Sequence, residues 1–312
     1  MTRNVAASVH QRVLNQARSE GRPFDELLHY FVLERFLYRL GRSPHAQRFI
    51  LKGALMFRAW RGPLARSTRD VDLLGHLDIA VDSVVQTVRE ICQTPVEEED
   101  GLRFHSEAII GEPIAEVAEY GGVRVHVPTT LGAARIRFRV DVGFGDALVP
   151  GPTAVRLPSL LGFAPPELQG YSRESVVAEK FHAMVRLGQI NSRMKDFYDV
   201  WWLATQFRFE GPLLARAVRE TFRRRETSLQ LMPVALTDAF ASTPEKHTQW
   251  LAFVRRHPSD ARPPTLSVAI HTIAGLVQPL VLSLIEGRDF EATWLPGGPW
   301  QERPSVLAEE PI

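Results

Sequence analysis

The sequence predicts an α+β fold in two lobes, a lobe built on a mixed or antiparallel sheet followed by a mainly helical one. Three observations carry this. Residues 48–74 read as strand, glycine turn, short helix and second strand. Between Leu102 and Gly145 the apolar residues recur at every second position, the period of a half-buried strand. Beyond Ser172 they recur at helical spacing.

In chain order, residues 4–20 form a first helix through Val5, Val9, Val13 and Leu14, closed by Gly21 and Pro23. Residues 24–40 are a more apolar helix, ended by Gly41-Arg42-Ser43-Pro44. Phe49 to Leu51 is a short buried strand, and Gly53 permits a tight turn into one or two helical turns over residues 54–60. After a loop marked by Gly62 and Pro63, residues 70–74 form the second strand. Its Asp70 and Asp72 share one face, and Val71 and Leu73 the other. Asp78 is expected to cap a helix running from Ile79 to about Cys92. The acidic run from Glu97 to Asp100 reads as a solvated turn. Residues 102–105, 123–127 and 133–142 are expected to form an antiparallel set joined by hairpins.

The proline-rich residues 150–166 read as the crossing between lobes. Ser172 caps a helix over 173–187, and a further helix opens near Arg193 and ends near Phe207. More helices follow over 211–226, 244–257 and 265–285. Trp201, Trp202, Trp250 and Trp294 are expected in packing roles, and residues 295–312 as a loosely held tail. The expected division is 1–150, 151–294 and 295–312.

A chain of 312 residues with 45% hydrophobic content can bury a sizeable core. Its formal charge of +1 announces no global affinity for nucleic acid, so any such binding must use a local patch. The single cysteine, Cys92, excludes a disulfide within the chain, fits a reducing cytosol and is expected to be a small buried residue. No apolar run is expected to approach the ~20 residues that cross a bilayer, and the N-terminus lacks a signal-peptide core. A cytoplasmic protein without a membrane partner is the expectation.

Chemistry enters with Asp70 and Asp72. Two carboxylates side by side on a strand face repel, unless one is protonated or a cation joins them. Mg²⁺ or Mn²⁺ suits such hard oxygen donors and takes phosphates as further ligands. The Lys52-Gly53-Ala54 turn offers backbone N–H groups that a phosphate can approach closely. Asp141, on the 135–145 strand, is the candidate third carboxylate, as a metal ligand or general base; Asp146 is a weaker competitor. A surface aspartate at a strand end is the alternative for Asp141.

These residues together resemble the polymerase-β-like nucleotidyltransferases, and within them the AbiEii-type toxins, including the MenT group, of toxin–antitoxin systems. The resemblance covers residues 49–203. It rests on Lys52-Gly53, on the Arg66-x-Thr68-x-Asp70-x-Asp72 strand, on Glu179-Lys180, and on Arg193-x-Lys195-Asp196-x-x-Asp199. Ala54 departs from the family's usual glycine or serine, leaving only backbone N–H groups to meet a phosphate there.

The resemblance implies a nucleoside triphosphate substrate bound between the lobes and a Mg²⁺ or Mn²⁺ cofactor held by Asp70, Asp72 and Asp141. It implies that Arg66 and Lys180 neutralise the triphosphate, and that Lys52, Gly53, Ala54, Thr68, Arg193 and Lys195 contribute to the nucleotide site. Asp196 would orient Lys180 or Arg193 or face the nucleotide base, or else simply cap its helix, with Glu179 and Asp199 as braces. The implied activity is addition of nucleotides to the 3′ acceptor end of tRNA, which blocks aminoacylation and translation. The runner-up is a nucleotidyltransferase acting on a small-molecule or protein hydroxyl. The implied partners are tRNA and an antitoxin, a kinase in some members, for which Thr68 and then Ser67 are the candidate phosphate acceptors. The arginines at 216, 219, 223, 224 and 225, with Arg255 and Arg256, are either a solvated face or a track for an RNA backbone.

Overall fold

Asn4 opens the first helix, α1 (Val5–Glu20), by accepting a hydrogen bond from the Ala7 N–H at 3.0 Å. Gly21 closes it in the left-handed conformation that glycine adopts without strain. The computed structural model describes residues 4–60, 68–114, 121–256 and 265–302, and the chain divides into two units. The first unit takes in Met1–Asp146 and Pro152–Tyr171, the second Ala147–Gly151 and Ser172–Ile312.

In the first unit, α2 (Phe24–Arg42) runs through the core with thirteen of its residues buried, polar ones among them. Then come β1 (Phe49–Lys52), α3 (Ala54–Ala59), β2 (Asp70–Gly75), α4 (Val81–Gln93), β3 (Leu102–Phe104) and β4 (Ile110–Ile114). The unit is completed by β5 (Gly122–Leu131), β6 (Ala134–Gly143), β7 (Thr153–Arg156) and β8 (Glu167–Gly170). Eight strands make one sheet in the order β3-β5-β6-β2-β1-β8-β7, with β4 also on β5. The sheet is mixed: β2 runs parallel to β6 and β1 to β8, while the other pairs are antiparallel.

The period-two pattern does its expected work on β5 and β6. Val123, Val125 and Val127, with Ile136, Phe138, Val140 and Val142, turn inward to the core that α2 and α4 help to build. Each such side chain contributes roughly 1.5–3 kcal/mol on burial. The alternate residues are left on the opposite, polar face of the sheet.

Several expectations change here. The alternating stretches are antiparallel to one another, but β6 has a second neighbour, β2, and that pairing is parallel. β4 escaped the sequence reading because Ile110-Gly111-Glu112-Pro113-Ile114 is largely exposed and carries a proline. Asp78 accepts from the Ala80 N–H, and the helix starts two residues later than expected, at Val81. The proline-rich stretch holds β7, which with β8 extends the sheet beyond β1, so the first unit runs on to Tyr171. Asp100 is no solvated turn residue. It is 2% exposed and takes Arg35 at 3.1 Å and Arg39 at 2.7 Å, which satisfies a charge that burial alone would penalise. Cys92 is buried, and burial pushes its thiol up to about 12.

Glu34 gives a pH signature. It accepts from Leu160 N–H at 2.7 Å and Ser159 Oγ at 3.1 Å, yet burial pushes its carboxyl up to about 7. The folded state then holds a proton that the unfolded chain releases near 4.5, so stability falls as pH rises between those two values. Glu34→Gln removes that term. We expect its melting temperature to fall less than wild type's between pH 5 and pH 8, a difference on the order of 2–3 kcal/mol in unfolding free energy. Parallel curves from thermal melts would refute the assignment.

The second unit is mainly helical: α5 (Arg173–Leu187), α6 (Met194–Gln206), α7 (Gly211–Arg224), α8 (Asp238–Ala241), α9 (Pro244–Arg256) and α10 (Leu266–Ile285). A small sheet joins β9 (Phe209–Glu210), β10 (Ala292–Trp294) and β11 (Trp300–Glu302). Ser172 caps α5 by accepting from Ser175 N–H at 3.1 Å. Part of the expected tail is held in place: Gly297 N–H donates to Ala204 O at 2.9 Å and Trp300 Nε1 to Leu276 O at 3.0 Å. Residues 303–312 lie outside the described part. The membrane expectation also needs correction, because α10 is 20 residues long, uncharged, and apolar enough to cross a membrane by length and composition. In this structure Ala269, Ile270, Ile273, Leu276, Val277, Leu280 and Val281 bury one face of α10 inside the unit, where it packs on α6 and α7.

Candidate active site

The polar face of the first unit's sheet carries an in-register row. Lys52 on β1 stands opposite Asp72 on β2, Asp72 beside Asp141 on β6, and Asp141 opposite Arg124 on β5. One step along, Asp70 stands beside Arg139. Parallel pairing of β2 with β6 is what brings Asp141 alongside Asp72.

The turn at Gly53 is fixed by two constraints. Its φ of 72° is one that L side chains rarely adopt, and a Cβ there would overlap the Asp72 carboxylate. The Asp72 carboxylate thus occupies the space a side chain would need. Ala54 begins α3, a helix of six residues. Lys52 Nζ is 2.7 Å from Asp146 Oδ2, which also accepts from the Tyr171 hydroxyl at 2.8 Å. Asp146, a second choice for the third acid on the sequence, is therefore an acid that pairs with Lys52.

Arginine forks hold the other two carboxylates. Arg139 donates Nε to Asp70 Oδ1 at 2.6 Å and Nη2 to Oδ2 at 2.8 Å. Arg124 donates Nε to Asp141 Oδ1 at 2.8 Å and Nη2 to Oδ2 at 2.7 Å. The hydrogen bonds to Asp70 and Asp141 push both guanidinium groups further above their ordinary range. Thr68 Oγ1 bonds the main chain of Asp70, accepting from N–H at 3.2 Å and donating to C=O at 3.0 Å. Arg66 and Ser67 lie outside the described residues.

Among the described residues, no group of three or more His, Cys, Asp or Glu side chains is arranged to hold a metal ion. The donor chemistry nevertheless fits one. Asp70, Asp72 and Asp141 are hard oxygen donors at adjacent positions on one sheet face, where Asp70 meets Arg139 and Asp141 meets Arg124.

The second unit gathers the remaining motif residues. Lys180 Nζ lies 2.6 Å from Asp196 Oδ1 and 2.9 Å from Asp199 Oδ2, with the two acids almost fully buried. Burial raises the Asp196 pKa, but the charge and hydrogen bond of Lys180 outweigh it and hold the carboxyl below its usual range. Arg193 and Lys195 are exposed at the start of α6. Glu179 faces Arg225 at 3.7 Å, and Arg225 Nη1 also meets His182 Nδ1 at 3.2 Å.

Sequence reasoning passed over Arg124, Arg139, Tyr171 and Lys246. The first two were visible only as members of an alternating face. Lys246 is 2% exposed and donates to Asn191 O at 3.0 Å, which ties α9 to the turn before α6. Nothing in its local sequence distinguishes it from a solvent-facing lysine.

The profile of the family described as nucleotidyl transferase AbiEii toxin, type IV toxin–antitoxin system, matches residues 35–272, about three quarters of the chain. No curated protein matches. Among solved structures, the chain is similar to JHP933 from Helicobacter pylori at 14% identity and a TM-score of 0.47, over 84% of this chain and 94% of that one. It is also similar to a candidate nucleotidyltransferase from H. pylori at 15% identity and a TM-score of 0.44, over 85% and 99%. The assignment rests on the family match, whose span takes in the Gly53 turn, the Asp70 and Asp72 strand and the Lys180 cluster: the chain belongs to the AbiEii nucleotidyltransferase toxins of type IV toxin–antitoxin systems.

Proposed function

We propose that this toxin transfers nucleotides from a nucleoside triphosphate, with Mg²⁺ or Mn²⁺, to the 3′ hydroxyl of the tRNA acceptor end in the cytoplasm, so blocking aminoacylation. The observation that carries the reading is the in-register Asp70, Asp72 and Asp141 beside the Gly53 turn. Asp70 and Asp72, with Asp141 next to them, would hold a divalent cation, which supplies charge stabilisation to the phosphoryl oxygens. Gly53 and Ala54 offer backbone N–H groups to a phosphate, and Lys52 adds a positive charge on the same face. The incoming hydroxyl oxygen bonds to the α-phosphorus, the α–β bridging bond breaks, and pyrophosphate leaves. Asp141 takes the hydroxyl proton.

Support for a polynucleotide acceptor comes from α7, where Arg216, Arg219, Arg223 and Arg224 are all exposed. Glu220 lies 2.7 Å from Arg223, so part of that charge is already answered within the helix. The family implies an antitoxin partner. We read it as a kinase acting at Thr68 or Ser67, since a phosphate on Thr68 would end the hydroxyl's donation to the Asp70 C=O and add about 1.5–2 negative charges beside the carboxylates.

The test is incubation of the pure protein with each α-labelled nucleoside triphosphate, Mg²⁺ and total RNA. Label at the tRNA 3′ end is expected. Label in protein or small molecules favours the other acceptor class, and no label with any nucleotide overturns the reading.

A further inference from the structure

We propose that Arg139 and Arg124 are displaceable counter-ions of the carboxylate row: a divalent cation enters by exchanging with them, and the released guanidinium groups then bind the phosphates of the triphosphate. This rests on the nucleotidyltransferase reading of the same site.

Each arginine saturates one edge of a carboxylate with two charge-assisted bonds of 2.6–2.8 Å. A cation that takes those oxygens as ligands brings two positive charges next to the guanidinium, so fork and metal cannot share the carboxylate without strong repulsion. The same unit contains an internal contrast. Arg35 and Arg39 grip Asp100 with the same chemistry, but those side chains are at most 6% exposed and cannot leave without stranding a buried charge. The side chains of Arg139 and Arg124 are 41% and 31% exposed, so they can swing into water at little desolvation cost. One arginine set is locked, the other exchangeable. Because both exchangeable arginines project from the face that bears Lys52 and the Gly53 turn, release leaves them beside the path of an incoming polyphosphate.

The experiment measures Mn²⁺ binding to the full-length protein without nucleotide, by isothermal titration and electron paramagnetic resonance. Compared are wild type, Arg139→Gln, Arg124→Gln, the double variant and Arg156→Gln, a control in which Arg156 on β7 makes an exposed pair with Glu167 on β8. Arg139→Gln and Arg124→Gln should each bind Mn²⁺ about 3- to 10-fold more tightly, with a larger gain in the double variant and none in the control. Arg139→Lys, which keeps the charge but not the fork, should fall between. At saturating Mn²⁺ the glutamine variants should show a raised KM for the triphosphate. Unchanged or weaker Mn²⁺ binding in both variants, or no binding by any of the proteins, overturns the exchange. An unchanged KM overturns the phosphate role. The metal readout needs no turnover: a protein that binds Mn²⁺ as expected but transfers nothing refutes the nucleotidyltransferase reading and leaves the exchange standing.

Discussion

Asp70→Ala and Asp72→Ala should each lower nucleotide transfer about a thousand-fold or more, and abolish growth inhibition on expression, while the protein stays folded. The loss is catalytic because each substitution removes an oxygen donor that no neighbour can replace. Asp141 is fixed on a different strand, and Asp146 faces Lys52. The cost to the fold is small. Asp70 is partly exposed and its fork with Arg139 lies at the surface, so losing it costs under about 1 kcal/mol. Asp72→Ala also opens space beside Gly53, where the carboxylate now fills the position of an absent Cβ. Transfer assays paired with circular dichroism melts decide the matter. More than a few per cent of wild-type transfer in either variant would remove the metal pair from the mechanism, and a collapsed melt in both would reassign the aspartates to stability.

Lys180→Ala has the largest expected effect on the second unit. Lys180 neutralises Asp196 and Asp199, whose side chains are 5% and 2% exposed. Taking away the cation leaves two buried carboxylates side by side, and breaking a buried pair in this way costs about 3–5 kcal/mol. The folded Asp196 pKa lies below its ordinary value, so this contribution is present at neutral pH and is lost as the pH falls through that lowered value. The expectation from the sequence motif is that the same lysine also meets a phosphate, so loss of activity in Lys180→Ala does not by itself separate the two roles. The triple variant Lys180→Met, Asp196→Asn, Asp199→Asn does, because it removes all the charges together and should recover most of the lost stability. A stable triple variant without transfer gives the cluster a part in the chemistry. A stable triple variant with full transfer makes it purely structural.

The sequence reading succeeded where the information is local. The Gly53 turn, the Asp-x-Asp face, the cap at Ser172 and the helical stretches after it are each specified within a few residues, by backbone freedom, side-chain period or a capping hydroxyl. The exposed β4 was missed for the same reason, since a strand with little buried face writes no alternation.

By itself, then, the sequence determined the chain's family motif, the strand that bears Asp70 and Asp72, and the identity of Asp141 as their candidate companion. Only the tertiary structure decided which charge meets which. Arg139 is 69 residues from Asp70 along the chain, Asp146 94 from Lys52, and Asp100 65 from Arg35. Those encounters depend on strand order, on a parallel register between β2 and β6, and on how deeply each pair is buried. A one-residue change of register would turn Asp141 from the polar face into the core. No local pattern records that choice, because it is made by the summed packing of the apolar face on the other side of the sheet.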